Sequence, residues 1–151
     1  EKNIITMNIL NKKYELTYRN LINDVNDIAG IRIICTTKDD IFLIRDLISN
    51  LAGITVLKEK DYVTYPKKSG YSSYHILAQL PINVGMDIVN VKVEIQVRTK
   101  AMDLWASIEH DIRYKSKNKI SKKVSDELVT CAKKLDKIDN KMSKMYLNMI
   151  E

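Results

Sequence analysis

Apolar and polar positions follow periods that change from segment to segment along this chain. In residues 4–13 and 17–26 apolar side chains recur every three to four positions, which predicts two short helices. A β-branched run then follows Gly30 and extends from Ile31 to Cys35. Such a run, bounded by Gly30 and two threonines, predicts a buried strand.

The helical period returns after Thr37, which is a favourable N-terminal cap because Asp39 and Asp40 lie in the first turn. This helix is predicted to run to Leu51, with Gly53 placed to end it. Strands are then predicted at residues 54–58, 74–80 and 91–97, with a loop over residues 61–71 and a connection over residues 81–89.

Strict alternation divides the last predicted strand into two faces. The apolar face carries Val91, Val93, Ile95 and Val97, and the polar face carries Glu94, Gln96 and Arg98. Thr99 is expected to cap a helix that runs to about residue 117, and a last long helix is predicted over residues 121–149. The order ααβαβββαα predicts an α+β, or mixed α/β, domain in which helices flank a mixed β-sheet.

Length and composition place these elements in one folded domain. The chain has 151 residues, of which 45% are hydrophobic and 29% charged, with only 4 Gly and 2 Pro. No apolar run approaches the ~18 residues of a membrane span, and no secretory leader pattern opens the chain. We therefore expect a cytoplasmic protein without a membrane partner. Cys35 and Cys131 lack C-x-x-C spacing and are predicted to be buried or half-buried thiols.

The net charge of +6 lies at one end of the chain. Residues 1–112 hold 14 basic and 14 acidic side chains, whereas residues 113–151 hold 11 and 5. A basic segment can bind a polyanion, but Lys-rich helices are more often solvated surfaces. The even balance over residues 1–112 argues against a broad nucleic-acid surface, so we expect nucleic acid not to be a partner.

Two carboxylates are candidates for a metal site. Asp27 lies at the entry to the first strand and Glu94 on the polar face of the last one. If those strands are neighbours, the carboxylates can converge on Mg²⁺, which prefers hard oxygen ligands and completes its shell with phosphates and water. One of them could also act as a general base. The spacing fits ordinary structural roles as well, with Asp27 capping a turn and Glu94 facing water.

The loop over residues 61–71 combines cations with an aromatic ring beside Gly70. A nucleotide base can stack on Tyr71 while Lys67 and Lys68 neutralise phosphates. An ordinary polar turn with a tyrosine anchored in the core is the alternative interpretation.

Several short motifs occur in one order along the chain. They are Asp27-Ile-Ala-Gly-Ile-Arg32, Asp61-Tyr62, Pro66-Lys67, Gly70-Tyr71-x-Ser73-x-His75, Glu94-x-Gln96-x-Arg98-Thr99 and Trp105-Ala-Ser-Ile-Glu109-His110. This order resembles the RelA/SpoT-type alarmone synthetase domain, above all that of the small, single-domain synthetases. The match covers about residues 25–115 and extends into the final helix.

The resemblance implies a fold and a reaction. The fold is a mixed sheet flanked by helices, with kinship to nucleotidyltransferases and a long C-terminal helix. The reaction is that of a GTP pyrophosphokinase of the stringent response, which transfers the β,γ-pyrophosphate of ATP to the ribose 3′-hydroxyl of GDP or GTP and gives (p)ppGpp. The resemblance also implies Mg²⁺ as cofactor and a homo-oligomer, often a tetramer.

The resemblance assigns roles by position. Asp27 and Glu94 would hold Mg²⁺, Glu94 would help to deprotonate the attacking hydroxyl, and Arg32 would lie against the adenine of ATP. Tyr71 would stack on guanine. The remaining residues of the acceptor side would be Lys67 and His75, which address phosphate or ribose, and Gln96, Arg98 and Asp103.

The chain departs from the family pattern in three places. Ser69 stands where the family usually has Asn, and Ser72 where it has Arg or Gln, so the acceptor side is expected to be tuned differently. The family also places a basic Arg-x-Lys segment on a helix before the stretch that resembles residues 4–10. We therefore expect residues 1–151 to form a single synthetase domain that lacks its N-terminal helical part and binds ATP weakly.

Two other functions compete with this one. A toxin-type relative on the same scaffold would pyrophosphorylate the 3′ end of tRNA, guided by the basic segment after Arg113. A non-catalytic module for nucleotide sensing or oligomerisation would carry a degenerate site, although the presence of both Asp27 and Glu94 counts against it.

Overall fold

The computed structural model describes residues 29–117 and 119–150 of the chain. Its elements are β1 (Ala29–Cys35), α1 (Lys38–Ser49), β2 (Thr55–Asp61), β3 (Tyr74–Val84), β4 (Asp87–Thr99), α2 (Lys100–Lys115) and α3 (Lys122–Ile150). The predicted helices at residues 4–13 and 17–26 lie outside the described residues, as does Asp27. Over the described part, the predicted order of strands and helices is confirmed, and so is the α+β class.

The four strands form one mixed sheet in the order β1-β4-β3-β2. β1 runs parallel to β4, with Gly30 opposite Glu94 and Arg32 opposite Gln96. β3 is antiparallel to both β4 and β2. The first and last strands are therefore neighbours, which was the condition for a site between them.

The apolar face of the sheet packs against α1. Val93, Ile95 and Val97 are buried there, as the alternation predicted, together with Ile76 of β3 and Ile41 of α1. The start of α1 is fixed by a capping box: Thr37 Oγ1 accepts from the Asp40 N–H, and Asp40 Oδ2 accepts from the Thr37 N–H. The helix ends at Ser49, two residues before the predicted end.

A second, smaller core joins α2 to α3. Trp105 is buried, and its Nε1–H donates to the Leu128 carbonyl at 2.9 Å. At the start of α2, Thr99 Oγ1 accepts from the Met102 N–H and donates to the buried Asp139 carboxylate of α3 at 2.7 Å. One hydroxyl therefore caps α2 and holds α3 against it.

The predicted connection over residues 81–89 is wrong. β3 continues through Pro81 to Val84, a turn at Gly85 with φ of +65° reverses the chain, and β4 begins at Asp87. Proline is tolerated here because β2 pairs with β3 only as far as Gln79, so this part of β3 has a neighbouring strand on one side only.

Two burial predictions also need correction. Among the described strands β1 lies at an edge of the sheet rather than in its interior, and its Ile31 is 51% exposed. Cys131 is exposed, whereas Cys35 is buried as expected. The apolar stripe of α3 packs at Leu128 and Leu135, but from Ile138 onward it is exposed.

Among the described residues, no helix is long and apolar enough to cross a bilayer.

The Thr99 junction should dominate the stability of the α2–α3 pair. We expect Thr99→Val to lower the free energy of unfolding by about 2–4 kcal/mol, because it removes a helix cap and leaves the buried Asp139 carboxylate without its donor. Urea denaturation measures this. Thr130→Val is the matched control, since its exposed hydroxyl donates only to the Asp126 carbonyl, and a change within about 0.5 kcal/mol is expected. Equal effects of the two substitutions would contradict the assignment.

Candidate active site

The polar face of the sheet carries a row of functional side chains, one from each strand. The pairing registers align Arg32 of β1, Gln96 of β4, His75 of β3 and Lys60 of β2. Because residues paired across strands point to the same face, all four lie on the side opposite α1. Glu94 lies in the next row, beside Gly30, where a Cβ atom would meet no atom of the described residues within 4 Å. The missing side chain leaves room next to the Glu94 carboxylate.

Five side chains close a hydrogen-bonded ring on this face. Arg98 Nη2 donates to Tyr71 Oη and to Gln96 Oε1, both at 2.7 Å. Tyr71 Oη contacts His75 Nε2 at 2.7 Å, and His75 Nδ1 contacts Glu94 Oε1 at 3.1 Å. Gln96 Nε2 completes the ring by donating to Glu94 Oε2 at 3.0 Å. Since the carboxylate only accepts, His75 carries its proton on Nδ1, and Nε2 accepts from the tyrosine hydroxyl.

The ring sets the charge of Glu94 and His75. Partial burial raises the pKa of Glu94, but hydrogen bonds from Gln96 and His75 and the nearby positive charge of Lys60 outweigh it, so the pKa lies below its ordinary value. Burial lowers the pKa of His75, and the positive charges of Arg98 and Lys67 lower it further against the opposing effect of Glu94. At neutral pH the site therefore holds an ionised Glu94 and a neutral His75.

The loop between β2 and β3 places Tyr71 and Lys67 together. The Tyr62 N–H donates to the Ser73 carbonyl at the base of the loop, and the Lys67 N–H donates to the Tyr71 carbonyl at its tip. Lys67 Nζ lies 4.7 Å from the centre of the Tyr62 ring and 4.9 Å from that of Tyr71, within cation–π range. The tip is thus a turn closed by a backbone hydrogen bond, and it holds the Lys67 ammonium group against the rings of Tyr62 and Tyr71.

Gly70 anchors this loop against the C-terminal helix. It has a φ of +95°, and a Cβ atom built on it would lie 2.6 Å from the Ala132 Cβ and 3.3 Å from the Trp105 ring. Tyr71 packs against the same small core as Trp105. At Gly70 the loop therefore lies so close to α3 that a residue with a side chain would not fit there.

Asp103 connects Arg32 of β1 with Arg98 of β4. Its Oδ1 lies 3.3 Å from Arg32 Nη1 and 3.2 Å from Arg98 Nη1. Of the nine residues assigned by resemblance, the structure thus brings eight onto one connected face: Arg32, Lys67, Tyr71, His75, Glu94, Gln96, Arg98 and Asp103. The ninth, Asp27, lies outside the described residues. The substrate roles of all nine stay predictions.

The donor atoms around Glu94 are compatible with Mg²⁺. The carboxylate is ionised and its side chain is 34% exposed. Each of its oxygens accepts one hydrogen bond, which leaves a lone pair on each. Mg²⁺ is commonly held by only one or two carboxylates together with substrate phosphates. Over residues 29–117 and 119–150 no group of three or more His, Cys, Asp or Glu side chains could hold a metal.

Sequence reasoning assigned no role to Ser73 or Tyr62. Ser73 is buried, and its Oγ accepts from Arg98 Nε at 3.3 Å. The ring of Tyr62 contacts Lys67 and lies edge-on to His75. The spacing Ser73-x-His75 could have identified the serine, since residues two apart on a strand share a face. No local pattern points to Tyr62, which depends on the loop conformation.

Comparison with known proteins agrees with this geometry. The family profile described as "Region found in RelA / SpoT proteins" matches residues 3–119. The chain belongs to the RelA/SpoT family. The resemblance stated from the sequence motifs is confirmed, and the RelA/SpoT match includes every residue of the candidate site, Asp27 among them.

Similar proteins come from Bacillus subtilis. The GTP pyrophosphokinase YwaC is 38% identical over 138 residues, which cover 91% of this chain and 66% of YwaC. The crystal structure of small alarmone synthetase 2 superposes with a TM-score of 0.87 at 34% identity, covering 98% of this chain and 77% of the other. Small alarmone synthetase 1 bound to its product pppGpp superposes with a TM-score of 0.85 at 32% identity, covering 100% and 76%. The chain thus spans slightly less than two thirds of YwaC.

The close approach at Gly70 can be tested against another glycine. Gly53 also has positive φ, at +84°, but open space around it. We expect Gly53→Ala to lower the free energy of unfolding by about 1–2 kcal/mol through backbone strain, and Gly70→Ala by that amount plus about 1–3 kcal/mol of overpacking against Ala132. Urea denaturation of both variants measures the difference. Equal losses would mean that the contact with α3 adds nothing.

The burial of His75 predicts a pH dependence of stability. Because its pKa is lowered in the folded state, the unfolded chain binds this proton first as the pH falls. We expect the free energy of unfolding to decrease from about pH 7 to about pH 5, and the decrease to be smaller in His75→Gln. His110→Gln, at an exposed histidine, should retain the wild-type slope. Identical slopes for wild type and His75→Gln would assign the effect to another group.

Proposed function

We propose that this chain is a GTP pyrophosphokinase that synthesises the alarmone (p)ppGpp from ATP and GDP or GTP. The closed ring that holds Glu94 ionised beside Tyr71 is the observation that carries the proposal. Membership of the RelA/SpoT family and similarity to proteins named as GTP pyrophosphokinase and small alarmone synthetase support it. The cytoplasm, where these nucleotides are abundant, is the compartment that the proposal requires.

The acceptor nucleotide would bind at the loop. Guanine would stack on Tyr71, whose hydroxyl is fixed by Arg98 and His75. Lys67 lies over that ring in the structure, so the base and the ammonium group compete for it unless Lys67 moves onto the phosphates. After this move Lys67 would still lie near Tyr62, which it contacts now. Its positive charge would then neutralise the phosphates of the acceptor nucleotide.

The donor nucleotide would lie towards β1. Arg32 is 53% exposed on this edge strand and is available to the adenine of ATP. Glu94 is on β4, which lies between β1 and β3, and it pairs with Gly30 of β1. We expect the carboxylate to reach the hydroxyl of an acceptor on the loop side while the donor lies along β1, the arrangement that an in-line transfer needs.

In the transfer, the ribose 3′-oxygen would attack the β-phosphorus of ATP while the bond from that phosphorus to the bridging oxygen of the α-phosphate breaks. The 3′-hydroxyl proton would pass to a Glu94 carboxylate oxygen, and AMP would leave with the bridging oxygen. Mg²⁺, when bound, would offset charge on the transferred phosphates. Gln96 and His75 would keep Glu94 ionised and oriented towards the hydroxyl.

The homo-oligomer implied by the family resemblance is part of the same proposal. The exposed apolar residues on the distal half of α3 are compatible with it: Ile138, Met142, Met145 and Met149. The tRNA alternative draws on the basic segment after Arg113, but the similar proteins are named for a guanine-nucleotide acceptor.

The function is tested by incubating the chain with ATP labelled in its β-phosphate, Mg²⁺ and GDP, GTP or deacylated tRNA in parallel. Label in the guanine nucleotide is expected, and label in tRNA would establish the other acceptor. Glu94→Gln should reduce product formation by about 10²–10⁴-fold, because the general base is lost, while guanine-nucleotide binding and folding persist.

Glu59→Gln is the matched control for this substitution. Glu59 is an exposed residue of β2 that pairs with the buried Ile76, so it points away from the candidate site. Activity within about twofold of wild type is expected, as for surface changes away from a site. Unchanged turnover in Glu94→Gln would contradict the proposed mechanism.

A further inference from the structure

Asp103 has an unusual pair of partners. It lies in the first turn of α2, and a single oxygen, Oδ1, accepts a hydrogen bond from Arg98 Nη1 at 3.2 Å and forms an ion pair with Arg32 Nη1 at 3.3 Å. The two guanidinium groups differ in environment: the Arg98 side chain is 6% exposed and that of Arg32 is 53% exposed. Asp103, at 27%, lies between the interior and the surface.

Each arginine leads to a different part of the site. Arg98 holds Tyr71 Oη and Gln96 Oε1, and Gln96 in turn holds Glu94, so Arg98 organises the acceptor side and the proposed base. Arg32 lies on the edge strand, where the donor nucleotide is proposed to bind. Asp103 is therefore a direct link between the two proposed nucleotide positions.

The chemistry of Asp103 argues against direct contact with a nucleotide. A carboxylate repels phosphates, and this one is held as a partner of two cations in the first turn of a helix, where negative charge is favoured. Both of its distances exceed the ~2.7–2.9 Å usual for a charge-assisted bond. The two guanidinium groups therefore share one carboxylate oxygen, and neither lies at the most favourable distance from it.

We infer that Asp103 is a positioning residue that couples the binding of the two nucleotides, an inference that rests on the function proposed above. When a donor nucleotide engages Arg32, the Asp103 oxygen becomes available to Arg98 alone. The Arg98 guanidinium is then held more firmly, and with it Tyr71 and Gln96. Because such coupling is reciprocal, an acceptor nucleotide bound at Tyr71 increases the affinity for the donor nucleotide by the same factor.

The test measures this factor on the full chain by calorimetry. The dissociation constant of the α,β-methylene analogue of ATP, which cannot transfer pyrophosphate, is determined with and without saturating GDP. In the wild type, GDP should tighten analogue binding by about fivefold, near the lower limit for coupled sites. In Asp103→Asn, which has the same shape without the charge, the factor should fall to about one.

Two further variants separate coupling from a general structural role. Asp103→Glu restores the charge one methylene further out and should recover part of the factor. Asp46→Asn removes a carboxylate from another Asp–Arg pair, with a 3.2 Å separation, and should retain the whole factor. Thermal unfolding checks that each variant folds. If Asp103→Asn does not fold, the comparison of Asp103→Glu with wild type decides, and an unchanged factor overturns the inference.

The possible failures are distinguishable. If the wild type binds both nucleotides and forms product but Asp103→Asn keeps the full factor, the coupling role is overturned and the proposed function stands. If the wild type shows no coupling, the inference is likewise overturned. If the wild type binds neither nucleotide and forms no product, both the function and the coupling are wrong.

Discussion

A buried guanidinium at the end of β4 is the constraint on which the candidate site depends. A charge with 6% of its side chain exposed costs several kcal/mol unless it is paired, so the N–H groups of Arg98 need partners. Those partners are Ser73, Asp103, Tyr71 and Gln96, which lie beside β3, in α2, in the loop and on β4. Satisfying one cation therefore brings four parts of the fold together.

The same arrangement explains the electrostatics of Glu94. Its carboxylate lies one step further along the hydrogen-bonded ring, where Gln96 and His75 both donate to it. These bonds favour the ionised form although the group is partly buried, and they leave lone pairs free for a cation or a hydroxyl proton. A positioned base with a lowered pKa is weakly basic, so its effect on a transfer would come from placement and charge rather than from proton affinity.

The loop between β2 and β3 depends on the C-terminal helix as much as on the sheet. Gly70 contacts Ala132, and Tyr71 packs on the core formed by Trp105 and Leu128. α3 is itself held to the start of α2 by the bond between Thr99 and Asp139, so the support for the loop continues to the end of β4. The loop conformation thus depends on the packing of α2 and α3 and on the end of β4.

The alternation of β4 alone determined that Glu94 and Arg98 share a face, because a period of two fixes side-chain direction in any strand. The ordered motifs determined the family because each motif is a local sequence pattern. Only the tertiary structure decided that Arg98 is buried within a ring, that Gly70 meets α3 and that the segment at Pro81 is strand. These features depend on the parallel register of β1 with β4, on the length of β2 and on helix packing. All three are set by contacts between residues far apart in the chain, and no local pattern encodes such contacts.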